Sequence, residues 1–331
     1  MFWIGLDISK EKIDYAFPNP KNMGHYLRTG RINNNLKGYA NLERIILESG
    51  INFNLACETT GIYSFPIMDY FSSRGYHCNE IHAFSIASYK KTVLQRNKTD
   101  KVDAKEISDY AHRYKDKLVR PYVARTANLI ELGLLIRTKK QLEKRDRALN
   151  NILEAYGFVQ DKLENITFEY ADKGLRSLIS NNQAYKKNFD KGISQYCKEN
   201  FAATYEALNS ISGVGENTIP YLIYYTNNFT RFNNPRDFTS YIGVVPNFYE
   251  SGSSVKYKTR IAHKSVCNSQ LRAALSQAAN IAMRHNPQIK ELVSRLDHLT
   301  FKQRLIAATR KLAIQVYFCG KNKVMYDKNR P

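Results

Sequence analysis

The sequence has few cysteines, and they form no recognisable motif. Its 331 residues include five, an odd number, which lie far apart and never occur as Cys-x-x-Cys. This pattern argues against a disulfide framework and a zinc site, and it favours a reducing cytoplasm. The sequence also lacks a signal peptide, a lysine-rich amphipathic anchor and any apolar run near about 18 residues, so we expect a cytoplasmic protein without a membrane partner.

Acidic residues are scarce beside basic ones. The chain has 50 lysines and arginines against 30 acids, a formal net charge of +20. Residues 256–331 alone hold 16 basic and 3 acidic residues. Such an excess suits a polyanionic partner, because neutralising phosphates releases counterions. The length is sufficient for two domains and a sizeable core.

The first hundred residues alternate between strand and helix patterns. Apolar periodicity predicts strands at 2–7, 13–17, 25–32, 53–57 and 76–81, a helix opened by Asn35, a helix carrying Tyr63 and Phe71, and a helix over 85–94. Proline and glycine between the first three strands indicate an antiparallel meander. This order is that of a ribonuclease-H-like fold, in which the first strand is central and the fourth runs parallel beside it.

Four acids stand at positions that this fold brings together. Asp7 ends the first strand and Glu58 ends the fourth, while Asp100 and Asp103 are three apart where a helix begins. Residues three apart share a helix face. Carboxylates held that close repel unless a cation lies between them, and Mg²⁺ prefers oxygen ligands. We therefore expect a two-metal site. The alternative for residues 96–103 alone is a solvated helix start favoured by the macrodipole.

A long helix with a coiled-coil seam is predicted beyond Pro121. Leucine, isoleucine and tyrosine recur at three-four spacing over 129–156, with basic and acidic residues between them. A less regular stretch follows Gly157, and 185–205 again has a helical pattern. The stripe fits either an internal helical hairpin or a dimerisation arm, because periodicity does not identify the partner.

The last third contains three further signals. Gly213 and Gly215 lie between two predicted helices, as in a helix-hairpin-helix whose backbone amides hold a DNA phosphate, although glycines can simply make a tight turn. Residues 249–254 predict a polar, serine-rich loop, and 301–318 predict a closing helix. The candidate nucleic-acid-binding residues are Arg96, Lys98, Gly213, Gly215, Lys256, Lys258, Arg260 and Lys264.

Taken together, these segments resemble the DEDD-type insertion-sequence transposases with a RuvC-like domain, which include bridge-RNA-guided recombinases and relatives of the Piv DNA invertase. The matching segments are 4–7 (IGLD), 57–63 (CETTGIY), 96–104 (RNKTDKVDA), 211–215 (ISGVG), 241–246 (YIGVVP), 250–254 (ESGSS) and 310–313 (RKLA). The resemblance covers nearly the whole chain. One departure is 261–268 (IAHKSVCN), where the family more often has a lysine-glycine-asparagine run.

The resemblance implies an α/β RuvC-like (RNase H-like) catalytic domain at 1–118, a helical coiled-coil or dimerisation region at 119–205, and a mainly helical transposase domain at 206–331. It implies that the four acids bind Mg²⁺ or Mn²⁺ and that Ser251 is the nucleophile. Ser253 and Ser254 have the same chemistry, and composition does not rank the three.

The implied activity is DNA transposition or recombination. The expected partners are donor and target double-stranded DNA, a guide non-coding RNA, and further copies of the chain in a homodimer or homotetramer. Such a protein would be bacterial and associated with the nucleoid when active. The alternatives are a metal-dependent nuclease resembling a Holliday-junction resolvase and a non-catalytic nucleic-acid-binding protein.

Overall fold

The computed structural model describes residues 2–22, 24–59, 61–92, 100–118, 121–163, 168–249, 258–262 and 266–328. For residues 100, 101, 117, 247–249 and 258–260 it describes the backbone alone. The chain divides into two compact units, Met1–Arg125 and Thr126–Pro331. Within the described residues, no helix has the length and apolar character needed to cross a membrane.

The first unit is built on a mixed sheet. Its described strands are β1 (Phe2–Ile8), β2 (Lys12–Pro18), β3 (Tyr26–Asn33), β4 (Phe53–Glu58) and β5 (Cys78–Ile81). They lie in the order β3-β2-β1-β4-β5. The first three strands pair antiparallel, whereas β4 is parallel to β1 and β5 is parallel to β4. The predicted meander and the central first strand are confirmed, and the sheet fits the expected ribonuclease-H-like fold.

Helices cover both faces of this sheet. Helices α1 (Leu36–Glu48) and α2 (Phe65–Ser72) cover one face, where Ile4 and Leu6 of β1 are buried. Helices α3 (Ala83–Thr92) and α4 (Asp100–Arg113) cover the other face, where Trp3 and Ala56 are buried. Side chains alternate between the two faces along a strand. Odd-numbered residues of β1 and even-numbered residues of β4 therefore face α3 and α4.

Local sequence explains where the first two helices begin. The Asn35 side chain accepts a hydrogen bond from the Gly38 amide at 2.9 Å, as an N-cap residue does. The prediction that Tyr63 lies on the second helix is wrong, because 61–63 form a separate 3-10 turn. The α2 helix begins afterwards at Phe65 and has a proline in its first turn. Proline is tolerated there because the amides of the first turn make no hydrogen bond within the helix.

Two long helices open the second unit: α5 (Ala127–Lys162) and α6 (Glu169–Asn200). They pack against each other through polar contacts as well as apolar ones, including Lys139 with Asp190 at 2.8 Å. The prediction that regular structure stops at Gly157 is wrong, since α5 passes through it with no atom near the position of a Cβ. An exposed glycine costs a helix only about 1 kcal/mol, which a long helix tolerates.

The second helix of this pair also starts earlier than predicted. It begins at Glu169 rather than near 185, and it ends at Asn200 rather than at 205, because a separate helix, α7 (Ala202–Asn209), follows it. Most side chains of the first half of α6 are exposed, so they carry no apolar stripe that periodicity can detect. The first half of the apolar stripe predicted over 129–156 packs within its own chain. Its residues Leu129, Leu132 and Ile136 are buried in the core of this unit.

The remaining helices complete that core. They are α8 (Ile219–Tyr225), α9 (Pro235–Ile242), α10 (Ser269–His285), α11 (Pro287–Ser294) and α12 (Phe301–Asn322). A two-stranded hairpin, β6 (Pro246–Tyr249) and β7 (Lys258–Ile261), lies between α9 and α10. The sequence patterns gave no sign of these two strands. Residues 250–257, which carry the three serines, connect them.

Candidate active site

Asp7 and Glu58 lie side by side at the same edge of the sheet. The register pairs Leu6 with Cys57 in parallel strands, so the residues that follow them, Asp7 and Glu58, are also neighbours. Neighbouring strands are about 4.8 Å apart. By strand alternation both side chains face α3 and α4, on the side where Trp3 is buried, and both are half-buried. Both also make interactions with other groups. The sheet thus brings two carboxylates together from positions 51 residues apart in the sequence.

The first turn of α4 reaches this edge because α4 packs directly on Gly5. A Cβ on Gly5 would lie 2.0 Å from the Ala104 carbonyl oxygen and 2.5 Å from the Ser108 amide nitrogen. The Ser108 hydroxyl donates to the Trp3 carbonyl at 2.7 Å. The helix therefore runs opposite to β1, with its beginning towards Asp7. Four helical residues span about 6 Å and two strand residues about 6.6 Å, so the distances match.

Asp100 and Asp103 belong to this first turn. Asp100 is the first residue of α4, as the sequence pattern predicted, and its side chain lies outside the described part of the structure. The Asp103 carboxylate is half-buried and accepts a hydrogen bond from the Lys90 ammonium of α3 at 2.7 Å. The backbone of α4 thus places both predicted acids at the start of the helix that covers Asp7 and Glu58.

Lys90 contacts one of the predicted site acids, a contact that the sequence patterns did not reveal. Its ammonium lies 2.7 Å from Asp103 and 3.0 Å from Glu106, a carboxylate that is only 5% exposed. Burial disfavours the charge on Lys90, but the hydrogen bonds to these two acids outweigh it and raise the pKa of Lys90. A positive charge is therefore held at Asp103. A lysine in a predicted helix has no feature that distinguishes it from an ordinary surface cation.

A further acid faces the same side of the sheet but is already neutralised. Asp14 on β2 lies opposite Asp7 in the strand register and is 3% exposed. Arg31 of β3 approaches its carboxylate at 2.8 Å and also donates from Nε. Asp14 is consequently engaged as the buried partner of an arginine. The structure gives it a role in fixing β2 against β3.

The donor set at this edge suits a hard divalent cation. Carboxylate oxygens are the ligands that Mg²⁺ prefers, and clustered carboxylates gain from a cation between them. Among the side chains that the structure describes, no three histidine, cysteine or acidic groups lie close enough together to hold a metal ion. These described side chains include three of the four predicted ligands, Asp7, Glu58 and Asp103. The oxygen donors of Asp7, Glu58 and Asp103 have the chemistry that such a cation requires, Lys90 supplies a counter-charge at Asp103, and metal binding by these acids stays a prediction.

The two glycines of the predicted hairpin turn have different surroundings. Gly213 has a left-handed φ of +102°, and a Cβ there would lie 2.8 Å from the Ala278 carbonyl oxygen of α10. Gly213 is therefore required for the turn and for packing. Gly215 is exposed, with no atom near its Cβ position, and Glu216 beside it pairs with Lys198 at 2.9 Å. Phosphate binding by either glycine stays a prediction.

Several predicted residues fall outside the described part of the chain. These are Arg96, Lys98, Ser251, Ser253, Ser254, Lys256 and Lys264. Lys258 and Arg260 lie on β7, with their backbone alone described. Tyr249 pairs with Lys258 as the last pair of the β6–β7 hairpin next to the serine-containing segment.

Comparison with known proteins identifies matching domains in both units. Residues 4–156 match a transposase family model of the DEDD, IS110 type, and residues 205–294 match the model described as Transposase IS116/IS110/IS902 family. Two curated relatives, the pilin gene-inverting proteins of Moraxella lacunata and Moraxella bovis, are each 26% identical over 332 residues, covering 98% of both chains. The chain thus carries IS110-family transposase domains, and these similarities identify a DNA recombinase or transposase.

Proposed function

We propose that this recombinase or transposase cuts and rejoins the DNA of an insertion sequence through Ser251. In this proposal Asp7, Glu58, Asp100 and Asp103 assist as the ligands of Mg²⁺ or Mn²⁺. The observation that carries it is the placement of Asp7 beside Glu58 under the first turn of α4. The two matching transposase models and the relatives named for gene inversion support DNA as the substrate.

The proposed chemistry is a phosphoryl exchange that conserves bond energy. The Ser251 hydroxyl loses its proton to a base, its oxygen bonds to the scissile phosphorus, and one P–O bond to a deoxyribose oxygen breaks. That oxygen leaves and is protonated. A hydroxyl of the new strand then attacks the phosphoserine, which releases Ser251 and forms a new phosphodiester without ATP. A bound divalent cation would supply electrostatic stabilisation of the phosphate charge and activation of the hydroxyl.

The carboxylates and Lys90 have separate tasks in this proposal. Asp7 and Glu58 are held by the sheet, so they supply fixed oxygen donors. Asp103 is held by Lys90 at 2.7 Å, and it would be one of the residues that hold the cation if Lys90 kept only its contact with Glu106. Lys90 then stays close enough to the site to contact a DNA phosphate. Without a metal, Lys90 offsets part of the negative charge of Asp103 and Glu106.

DNA binding is proposed to depend on the basic C-terminal region. Residues 256–331 carry most of the chain's positive excess, and they begin beside the serine-containing segment. In the described part of this region, Arg310 on α12 is exposed, whereas Leu312 and Ala313 after it are buried. Contacts between such exposed basic side chains and DNA phosphates would position the DNA without reading its sequence.

Sequence recognition is proposed to come from a guide RNA, which the resemblance to bridge-RNA-guided recombinases suggests. In such a system base pairing reads the DNA sequence, while the protein holds the shape and phosphates of the nucleic acid. The strongly basic composition suits two nucleic-acid partners at once. Sequencing the RNA that copurifies with the protein tests this part directly. Recovery of random cellular RNA, rather than one structured species encoded beside the gene, would contradict it.

Self-association is proposed to involve the far end of the α5–α6 pair. There Ile152 is 42% exposed, Phe158 is 66% exposed and Tyr170 is 95% exposed. Leu135, in contrast, packs against the core of its own unit. Coiled-coil helices bury such stripes against a partner helix, so a homodimer or homotetramer would cover these residues. In this scheme 1–118 form the catalytic region, 119–205 the association region and 206–331 the serine-bearing region.

Recombination assays on acid variants test the proposal. Asp7→Asn and Glu58→Gln should each reduce recombination of donor and target DNA by at least about 100-fold with Mg²⁺ and the copurified RNA. Both changes keep the size of the side chain and remove its charge, so the fold should remain. Glu48→Gln is the matched control, because Glu48 pairs with Arg44 on the exposed surface of α1.

Two outcomes would decide against the proposal. Recombination within about threefold of the wild type in both acid variants would remove the carboxylates from the mechanism. If the protein cuts DNA in a reaction that depends on the acids but does not rejoin the strands, the result would favour a nuclease resembling a junction resolvase.

A further inference from the structure

One arginine joins the two ends of the β6–β7 hairpin. Arg272 lies on α10, and its Nη1 donates to the Gly243 carbonyl at 3.3 Å and to the Ala262 carbonyl at 2.7 Å. Gly243 ends α9 just before the hairpin, and Ala262 directly follows β7. A single half-buried guanidinium therefore fixes both points at which the hairpin leaves the body of the second unit.

The same two ends are held by close packing and by a backbone bond. Gly243 has a left-handed φ of +73°, and a Cβ there would lie 2.7 Å from the Cys267 Cβ. The Asn268 amide donates to the Tyr241 carbonyl at 2.8 Å, and the Asn268 side chain donates to the Tyr241 hydroxyl at 2.9 Å. The end of α9 and the start of α10 are thus tied together below the hairpin.

We propose that Arg272 is a positioning residue for recombination: it sets the direction of the hairpin and thereby the place of the segment that carries Ser251. This inference rests on the proposed role of that serine. Each strand of the hairpin has four residues, a length of about 13 Å. A rotation of about 5° at the base moves the far end of such a strand by about 1 Å, and a misplacement of this size can slow a reaction about 100-fold.

The chemistry of arginine suits this task. A guanidinium is planar, always charged and rich in donors, so it can hold two carbonyl oxygens in one fixed arrangement. A glutamine is shorter and neutral, and it cannot reach both carbonyls. A lysine keeps the charge and the length but replaces the planar group with a rotating ammonium. Arg272→Lys should therefore retain part of the positioning.

The experiment measures formation of the covalent protein–DNA adduct in the complex with RNA, as a rate at saturating DNA and as the DNA concentration that gives half of this rate. Arg272→Gln should lower the saturating rate about 100-fold and Arg272→Lys about tenfold, with the half-saturating concentration within about twofold of the wild type. Arg284→Gln is the control, since Arg284 is exposed in the last turn of the same helix. Thermal unfolding establishes that each variant is folded, and Arg272→Lys decides the question if Arg272→Gln is not.

Each remaining result contradicts a distinct statement. If wild-type protein forms no adduct, the serine mechanism itself fails. If the wild type forms the adduct and the folded Arg272 variants match its rate within threefold, the serine mechanism stands and the positioning role is wrong. A rise in the half-saturating DNA concentration with an unchanged saturating rate would make Arg272 a DNA-binding residue instead.

Discussion

Replacing Gly5 by alanine should separate the two halves of the acid site. The added Cβ would lie 2.0 Å from the Ala104 carbonyl oxygen and 2.5 Å from the Ser108 amide nitrogen. Both are backbone atoms of α4, so no side-chain rotation can relieve the contact. A normal carbon–oxygen contact is about 3.3 Å, so α4 has to retreat from β1 by about 1.3 Å.

This displacement predicts two separate losses. Forcing an extra methyl group into a packed contact costs about 1–3 kcal/mol of unfolding free energy. The retreat also carries Asp100 and Asp103 away from Asp7 and Glu58, which stay on the sheet. A shift of about 1 Å in a reacting group can cost about 100-fold in rate. We therefore expect Gly5→Ala to reduce the recombination rate by much more than the reduced fraction of folded protein can explain.

Chemical denaturation, Mn²⁺ titration calorimetry and recombination rates test this prediction on one sample. Gly157→Ala is the control, because Gly157 lies inside α5 with open space around it, and alanine there should stabilise by up to about 1 kcal/mol. A Gly5→Ala protein with wild-type Mn²⁺ affinity and recombination rate would show that the placement of α4 does not build the site.

Three further predictions concern charge and association. Lys90→Met should lower the melting temperature of the metal-free protein, because Asp103 loses its counter-charge. Mg²⁺ should then raise the melting temperature of this variant more than that of the wild type. An equal rise in both proteins would contradict the prediction. Burial lowers the pKa of Lys140 to about 8, so the folded chain loses this proton before the unfolded chain does. Raising the pH from 7 to 10 should therefore stabilise wild type relative to Lys140→Met by about 1–2 kcal/mol, allowing for partial solvent screening, and denaturation at both pH values checks it. Ile152→Asp with Phe158→Asp should reduce the mass measured by light scattering without unfolding the chain, since both side chains are exposed; an unchanged mass would place the interface elsewhere.

Much of the first unit could be predicted because its signals are local. Strand alternation, the glycines and prolines between strands, and the N-cap at Asn35 each act within a few residues, and all gave the correct elements. The neighbourhood of Asp7 and Glu58 followed from the order of elements in the fold. The sequence could not reveal Lys90, because its role arises from the packing of α3 on α4.

The second unit was less predictable for a physical reason. The first half of α6 is largely exposed, so its sequence has no need of an apolar face. The strands β6 and β7 have four residues each, too short for alternation to stand out. The contacts of Arg272 join residues 29 and 10 positions away, and no local pattern encodes them.

Identification of the residue joined to DNA tests the central proposal most directly. The complex of protein, copurified RNA and labelled DNA would be denatured with Mg²⁺ present, digested with protease and nuclease, and sequenced by mass spectrometry. We expect a nucleotide phosphate on Ser251, absent from Ser251→Ala and from Asp7→Asn protein but retained in Ser253→Ala. A phosphate on another residue, or recombination by Ser251→Ala at the wild-type rate, would contradict the serine mechanism.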